Sequence, residues 1–98
     1  MKRRTVVFAS RAKTDLIELH DWIVERAGAA VATAYLERLE GYCEGFEVAA
    51  ERGHRRDDVR PGLRIVGFER RIAIAFVVEP EQVIILRLYY GGRAIGSP

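Results

Sequence analysis

Residues 83–90, Val-Ile-Ile-Leu-Arg-Leu-Tyr-Tyr, constrain this chain more than any other stretch. They are β-branched, aliphatic and aromatic, with no Gly or Pro until Gly91-Gly92. A strand with one face in solvent alternates apolar and polar residues, and this one does not. Alternation sends Ile84, Leu86, Leu88 and Tyr90 one way and Val83, Ile85, Arg87 and Tyr89 the other. Both sets are apolar, so the strand belongs inside a sheet with cover on both faces. Arg87 is the exception. It keeps its charge at all relevant pH and is costly to bury unpaired. Two roles fit it equally: an ion pair with an acid of a neighbouring strand or helix, or a contact with another chain.

Earlier in the chain the apolar period changes. Thr5 to Ala9 reads as a short strand and Ser10 as an N-cap. Ala12, Leu16, Leu19 and Ile23 recur at helical spacing, widened by Ile17, Trp22 and Val24, over a helix from about Arg11 to Arg26. Asp15, Glu18, Asp21 and Glu25 fall off that stripe, with Asp15 in an early turn where negative charge suits the helix dipole. Gly28 breaks the helix. A second follows from Ala29 or Ala30, with Ala32, Tyr35, Leu36, Leu39, Cys43 and Phe46 as its apolar side. Gly41 and Gly45 weaken it and suit a close approach to the first helix. So short a turn makes an antiparallel hairpin.

Residues 53–62 read as a loop ending in Pro61-Gly62, a strong turn signal. Three strands follow: Leu63 to Phe68, Ile72 to Glu79 and the 83–90 strand. Their short connections force an antiparallel meander. The expected fold is α+β, in the order β-α-α-β-β-β, with an antiparallel helical hairpin on one face of a mainly antiparallel sheet. Residues 1–98 make one domain, with 91–98 expected to be a flexible tail. If Ile84, Leu86 and Leu88 face the helices, together with Leu63 and Ile65, then Arg64, Arg87 and Tyr89 share the opposite face. That face is also partly apolar, through Val66, Ala73, Ala75, Val77, Val83 and Ile85. An uncovered surface of that kind marks a partner site.

Composition narrows the class. The chain is 49% hydrophobic and 31% charged, as ordinary globular proteins are. No apolar run reaches the roughly 18–20 residues of a membrane span, and the basic start turns polar too soon for a secretory signal, so a cytoplasmic protein without a membrane partner is expected. The lone Cys43 excludes an internal disulfide and argues against a structural metal site; at a core spacing it reads as a small hydrophobe. The net charge of +2 conceals segregation: residues 10–51 carry a net −5 and residues 52–71 a net +4. Either an anionic partner meets the basic stretch, or acidic helices lie beside a basic loop.

Several runs together resemble the RelE/ParE toxins of type II toxin–antitoxin systems, and the ParE-like branch in particular. Ala12-x-x-Asp15-Leu16-x-x-Leu19-x-x-Trp22-Ile23 is similar to the first-helix pattern, and Ala34-Tyr35-Leu36 with Cys43 to the second. Gly53-x-x-Arg56-x-Asp58-Val59-Arg60-Pro61-Gly62-Leu63-Arg64 resembles the loop entering the meander. Ile85-Leu86-Arg87-Leu88-x-Tyr90-Gly91-x-Arg93 resembles the last strand and its exit. The resemblance implies βααβββ topology and a cytoplasmic toxin that inhibits growth and stabilises plasmids. It implies a cognate ParD-like antitoxin, bound as a hetero-oligomer through an acidic, apolar C-terminal segment. It also implies one of two targets: ParE-like members inhibit DNA gyrase without cutting RNA, and RelE-like members cut messenger RNA on the ribosome.

Departures from the pattern bear on that choice. Tyr90-Gly91-Gly92-Arg93 stands where many ParE-like members have His-Gly-Arg-Arg. Ala50 takes the place of a common proline, and Ala73 that of an arginine of RelE-like cleavers. Metal-free RNA cleavage needs a base, a phosphate-binding cation and an acid. Arg64, Arg87 and Arg93 supply cations, but only Tyr89, Tyr90 and His54 are at hand for proton transfer. The expected reading is therefore a gyrase inhibitor without catalytic residues, cofactor or metal, in which Arg60, Arg64, Arg87, Tyr89, Tyr90 and Arg93 bind antitoxin or target. The alternative is a ribosome-dependent messenger RNA endonuclease using Arg64, Arg87, Tyr90 and Arg93.

Overall fold

The apolar strand at the end of the chain does sit inside a sheet, between partners on both sides. The computed structural model describes residues 3–90; the expected tail at 91–98 and Arg93 lie outside the described residues. Strand β1 (Thr5–Phe8) leads into helix α1 (Ser10–Ala27). Helix α2 (Ala29–Glu44) follows and tightens into a 3₁₀ turn at Gly45–Glu47. Then come β2 (His54–Arg55), β3 (Leu63–Phe68), β4 (Ile72–Val78) and β5 (Gln82–Tyr89). The sheet order is β1-β5-β4-β3-β2. Strand β1 runs parallel to β5 and the other pairs are antiparallel. The architecture is α+β, a helical hairpin on a mixed five-stranded sheet. The two-residue β2 was not legible as a strand, because His54-Arg55 lacks apolar residues and is held by pairing to Ile65 and Arg64 alone.

The helix break falls where Gly28 takes φ 95°, a conformation that costs a residue with a side chain more than glycine. Ser10 does not cap α1. It is the first helical residue, and the extended Ala9 ahead of it carries the chain straight from strand to helix, its N–H donating to the Ile85 carbonyl at 2.9 Å. Gly41 and Gly45 do not seat a close helix contact either: a methyl group added at either would meet nothing within 4 Å.

The main core lies between the helices and the sheet. Ala12, Leu19 and Ile23 of α1 and Leu36, Leu39 and Cys43 of α2 meet Phe46, Ile74, Phe76 and Leu88. Burying each large apolar side chain contributes about 1.5–3 kcal/mol, which makes this cluster the main source of stability. Burial pushes the Cys43 thiol up to about 12, as suits a small apolar group in a core. A second cluster occupies the other face of the sheet, where Leu63, Ala75, Val77 and Tyr89 gather with Ile65, Ala73, Ile84 and Leu86.

Strict alternation assigns part of these faces wrongly. Strand β4 follows it, with Ile72, Ile74, Phe76 and Val78 toward the helices. In β3 the phase is opposite to expectation. Leu63 pairs with Val77 and Ile65 with Ala75, so both point away from the helices, while Val66 and Phe68 face them. In β5 a β-bulge intervenes: Ile85 pairs with Phe76 but Arg87 with Ala75, leaving Leu86 as the extra residue. Val83, Ile85, Leu88 and Tyr90 face the helices, whereas Ile84, Leu86 and Tyr89 lie opposite. A bulge is the one device that lets a strand change face midway, and it accounts for the missing alternation in the sequence.

Candidate functional site

The end of β5 is where the chain departs furthest from simple patterning. Strand β1 stops at Phe8, opposite Ile85, so the outer edge of β5 beyond Ile85 has no neighbouring strand. Asp15 fills that gap. It belongs to the buried stripe of α1, with only 1% of its surface exposed, and is the only charged residue buried so fully among the described residues. Its carboxylate accepts the Leu88 N–H at 2.9 Å. It also accepts from the Arg87 guanidinium at 2.9 and 3.3 Å. One carboxylate thus completes a strand edge and neutralises the half-buried Arg87. The guanidinium lies 5.1 Å from the centre of the Tyr89 ring, over its face. The first of the two roles open to Arg87, an ion pair with an acid of a neighbouring helix, is present in the structure. Sequence reading placed Asp15 off the buried face; the spacing Ala12, Asp15, Leu19, Ile23 was the available signal.

The other candidate residues are dispersed. Arg64 is half-buried and pairs with Phe76, whose side chain faces the helices, so it does not share a face with Arg87 and Tyr89. Its guanidinium reaches the Arg52 carbonyl at 3.4 Å. Arg60 is exposed on the loop before β3. Tyr89 is buried in the cluster on the helix-free face, and Tyr90 in the helix-facing core, edge-on to Trp22 at 5.6 Å. His54 is exposed in β2.

The basic loop orders itself internally. Arg55 pairs with Asp57 at 3.2 Å and Arg56 makes a two-pronged pair with Asp58 at 2.9 Å. Asp57 also accepts the Gly62 N–H at 2.7 Å, which closes the loop. That bond, with Arg55, holds the Asp57 carboxyl below its usual range, and Arg56 does the same for Asp58. Elsewhere Arg38 of α2 pairs with Glu69 of the β3–β4 turn, and Arg3, ahead of β1, with Glu47 of the 3₁₀ turn.

A cleft of ≈540 Å³ opens between the far end of the helical hairpin and the β3–β4 turn. Trp22, Ile23, Ile72 and Tyr90 line it, with Arg26, Arg38, Arg71 and Glu69 around its rim. The Tyr35 ring is 8% exposed, and its hydroxyl is buried without a hydrogen-bond partner. Desolvation, with Glu69 second, raises the hydroxyl above its ordinary value and keeps it a donor. Trp22 and Tyr35, placed by their spacing on the apolar sides of the two helices, do pack in the core cluster, and both also line this cleft.

The family model of the ParE toxin of type II toxin–antitoxin systems, parDE, matches residues 6–95. The chain belongs to the ParE toxin family. Among solved structures, this ParE-family chain is similar to one from the chromosomal ParDE toxin–antitoxin system of P. aeruginosa, with a TM-score of 0.78 and 22% identity over 90% of this chain and 96% of that one. It is also similar to one from the RelBE2 toxin–antitoxin complex of Mycobacterium tuberculosis, with a TM-score of 0.64 and 18% identity over 95% and 97%. At these identities the likeness establishes the shared fold. No curated protein matches the chain. No helix among the described residues is long and apolar enough to cross a membrane.

Proposed function

We propose that this ParE-family protein is a growth-inhibiting toxin that acts on DNA gyrase by binding, and that a cognate antitoxin neutralises it. The match to the ParE model over residues 6–95 carries the proposal. The geometry favours a binding role. Arg64 and Arg87 pair with Phe76 and Ala75, adjacent residues of β4 that project to opposite faces. Arg87 is engaged by Asp15, and Tyr90 is packed against Trp22. Those groups would have to converge on one phosphate for RNA cleavage. In the binding role, exposed Arg60 and half-buried Arg64 meet an anionic surface of the target, Arg87 and Tyr89 fix the end of β5, and Tyr90 serves the cleft.

The test is a supercoiling assay. Purified protein should block supercoiling by gyrase, and its induction in cells should arrest replication while leaving messengers intact. Unimpaired supercoiling, together with codon-linked messenger cuts mapped by primer extension, would replace this reading with the endonuclease one.

A further inference from the structure

The positive charge of residues 52–71 is only partly consumed by the fold. Of the seven arginines there, Arg55 and Arg56 pair with Asp57 and Asp58. Arg52 lies over the Tyr42 and Phe46 rings and donates to the Ala49 carbonyl, and Arg64 donates to the Arg52 carbonyl. The side chains of the other three, Arg60, Arg70 and Arg71, are exposed and form no hydrogen bond or ion pair among the described residues. Arg70 and Arg71 stand side by side on the β3–β4 turn, which the Arg71 N–H closes by donating to the Phe68 carbonyl at 3.1 Å. Glu69 and Arg70 take φ 49° and 60°, a conformation for which tight hairpin turns favour glycine and asparagine. The Glu69 carboxylate accepts from Arg38 of α2 at 2.9 and 3.1 Å, which braces the turn against the helical hairpin. Arg38 thereby offsets the one carboxylate of the turn, and Arg70 and Arg71 keep two uncompensated charges at its tip.

We propose that the β3–β4 turn contacts the phosphate backbone of duplex DNA, with Arg70 and Arg71 each neutralising one phosphate. The choice of DNA rests on the gyrase reading above, because duplex DNA is what that target works on. Two observations favour a phosphate backbone over a protein surface. First, the solvent-facing residues of the turn, Gly67, Glu69, Arg70 and Arg71, offer no apolar side chain, while Phe68 and Ile72 on either side are buried. The centre of a protein interface is apolar and poor in charge, whereas phosphate contacts need only well-placed cations. Second, residues 10–51 carry a net −5, so the helices repel a polyanion and the field of the molecule turns its basic stretch toward one. Backbone contacts of this kind carry no sequence information, and their strength falls steeply with salt.

The test is fluorescence anisotropy of the purified protein alone on a short labelled duplex, over a salt series of about 50–200 mM. The logarithm of affinity should fall linearly with the logarithm of salt, and Arg70→Ala/Arg71→Ala should weaken binding and reduce that slope by about 2. Arg11→Ala/Lys13→Ala removes the same charge from the start of α1 and should leave the slope unchanged. Arg70→Gly separates recognition from structure, because its two effects have opposite signs: it relieves the turn and should raise the urea midpoint, yet should weaken DNA binding and reduce the slope by about 1. An unchanged slope in the turn variants, or an equal fall in the α1 variant, overturns the assignment. So does competition by polyglutamate as strong as by duplex at equal charge, or tighter binding of a duplex RNA of the same length. Turn-dependent DNA binding by a protein that leaves gyrase supercoiling untouched supports the contact and removes only the gyrase target. Blocked supercoiling with DNA binding indifferent to the turn does the reverse.

Discussion

Breaking the Asp15–Arg87 pair should be among the most damaging single changes available to this chain. The side chains are 2% and 18% exposed, so the carboxylate has left water and the guanidinium is half-buried beside it. Asp15→Ala leaves a cation in a largely apolar surrounding and strips the Leu88 N–H of its acceptor. Losing one partner of such a pair costs about 3–5 kcal/mol, a large part of the roughly 5–15 kcal/mol that holds a domain folded. For a chain of 98 residues, 3 kcal/mol corresponds to a drop in melting temperature of roughly 12–24 °C. Asp15→Asn keeps an acceptor for Leu88 but turns an amide donor toward the guanidinium, and should still cost about 2 kcal/mol or more. Arg87→Met removes the cation and leaves the carboxylate with only the backbone N–H. The double variant Asp15→Asn/Arg87→Met should lose well under the sum of the two single losses, with a coupling of about 1–3 kcal/mol by urea unfolding. Burial also makes the pair insensitive to salt. The exposed Arg38–Glu69 pair, at 53% and 39%, should by contrast contribute about 0–1 kcal/mol and fade in high salt. Additive losses, or an Asp15→Ala cost below about 1 kcal/mol, would refute the claim that this carboxylate holds the end of β5.

Gly53 has φ +77°, and a methyl group there would lie 2.2 Å from the Ile65 carbonyl oxygen; Gly62 has φ +80° with open space around it. Thermal unfolding should therefore show Gly53→Ala losing at least 1 kcal/mol more than Gly62→Ala, which bears only the conformational cost of about 1–2 kcal/mol; equal losses would mean that the β2–β3 contact can give way. Gly41→Ala, in the interior of α2 with nothing within 4 Å, should stabilise the protein by up to ~1 kcal/mol, read as a higher urea midpoint at unchanged slope. The Asp57 carboxyl is held low by the Gly62 N–H and Arg55, so its contribution to loop order is present above the ordinary aspartate value and lost as pH falls through its lowered folded value. The Gly62 amide resonance should hold its position down through the ordinary aspartate range and move only in stronger acid, and a shift centred at the ordinary value would show that the bond does not form in solution.

The element order apart from β2, the Gly28 break, the face of β4 and the interior place of β5 were readable, because each rests on local chemistry that the chain repeats. Apolar residues recur with the period of their element, and glycine takes the positive φ at positions 28, 53 and 62, although Glu69 and Arg70 adopt positive φ without it. The site was less readable, for two physical reasons. First, a β-bulge carries no residue signature of its own here; Leu86 is as apolar as its neighbours, and only the pairing of Ile85 with Phe76 and Arg87 with Ala75 reveals the slip. One inserted residue reverses the face of everything beyond it, so alternation counted through the bulge put Val83 and Ile85 on the wrong side. Second, a buried ion pair is invisible when its halves are read separately. Asp15 violates the apolar stripe of α1, and Arg87 violates the apolar strand β5, 72 residues apart. Read alone, Asp15 is explained by the helix dipole, and Arg87 by either an acid of a neighbouring element or another chain, with nothing to join the two. A chain this small cannot carry two unpaired buried charges, since each would cost several kcal/mol against a margin of similar size. Two such violations of opposite sign are therefore better read as one interaction.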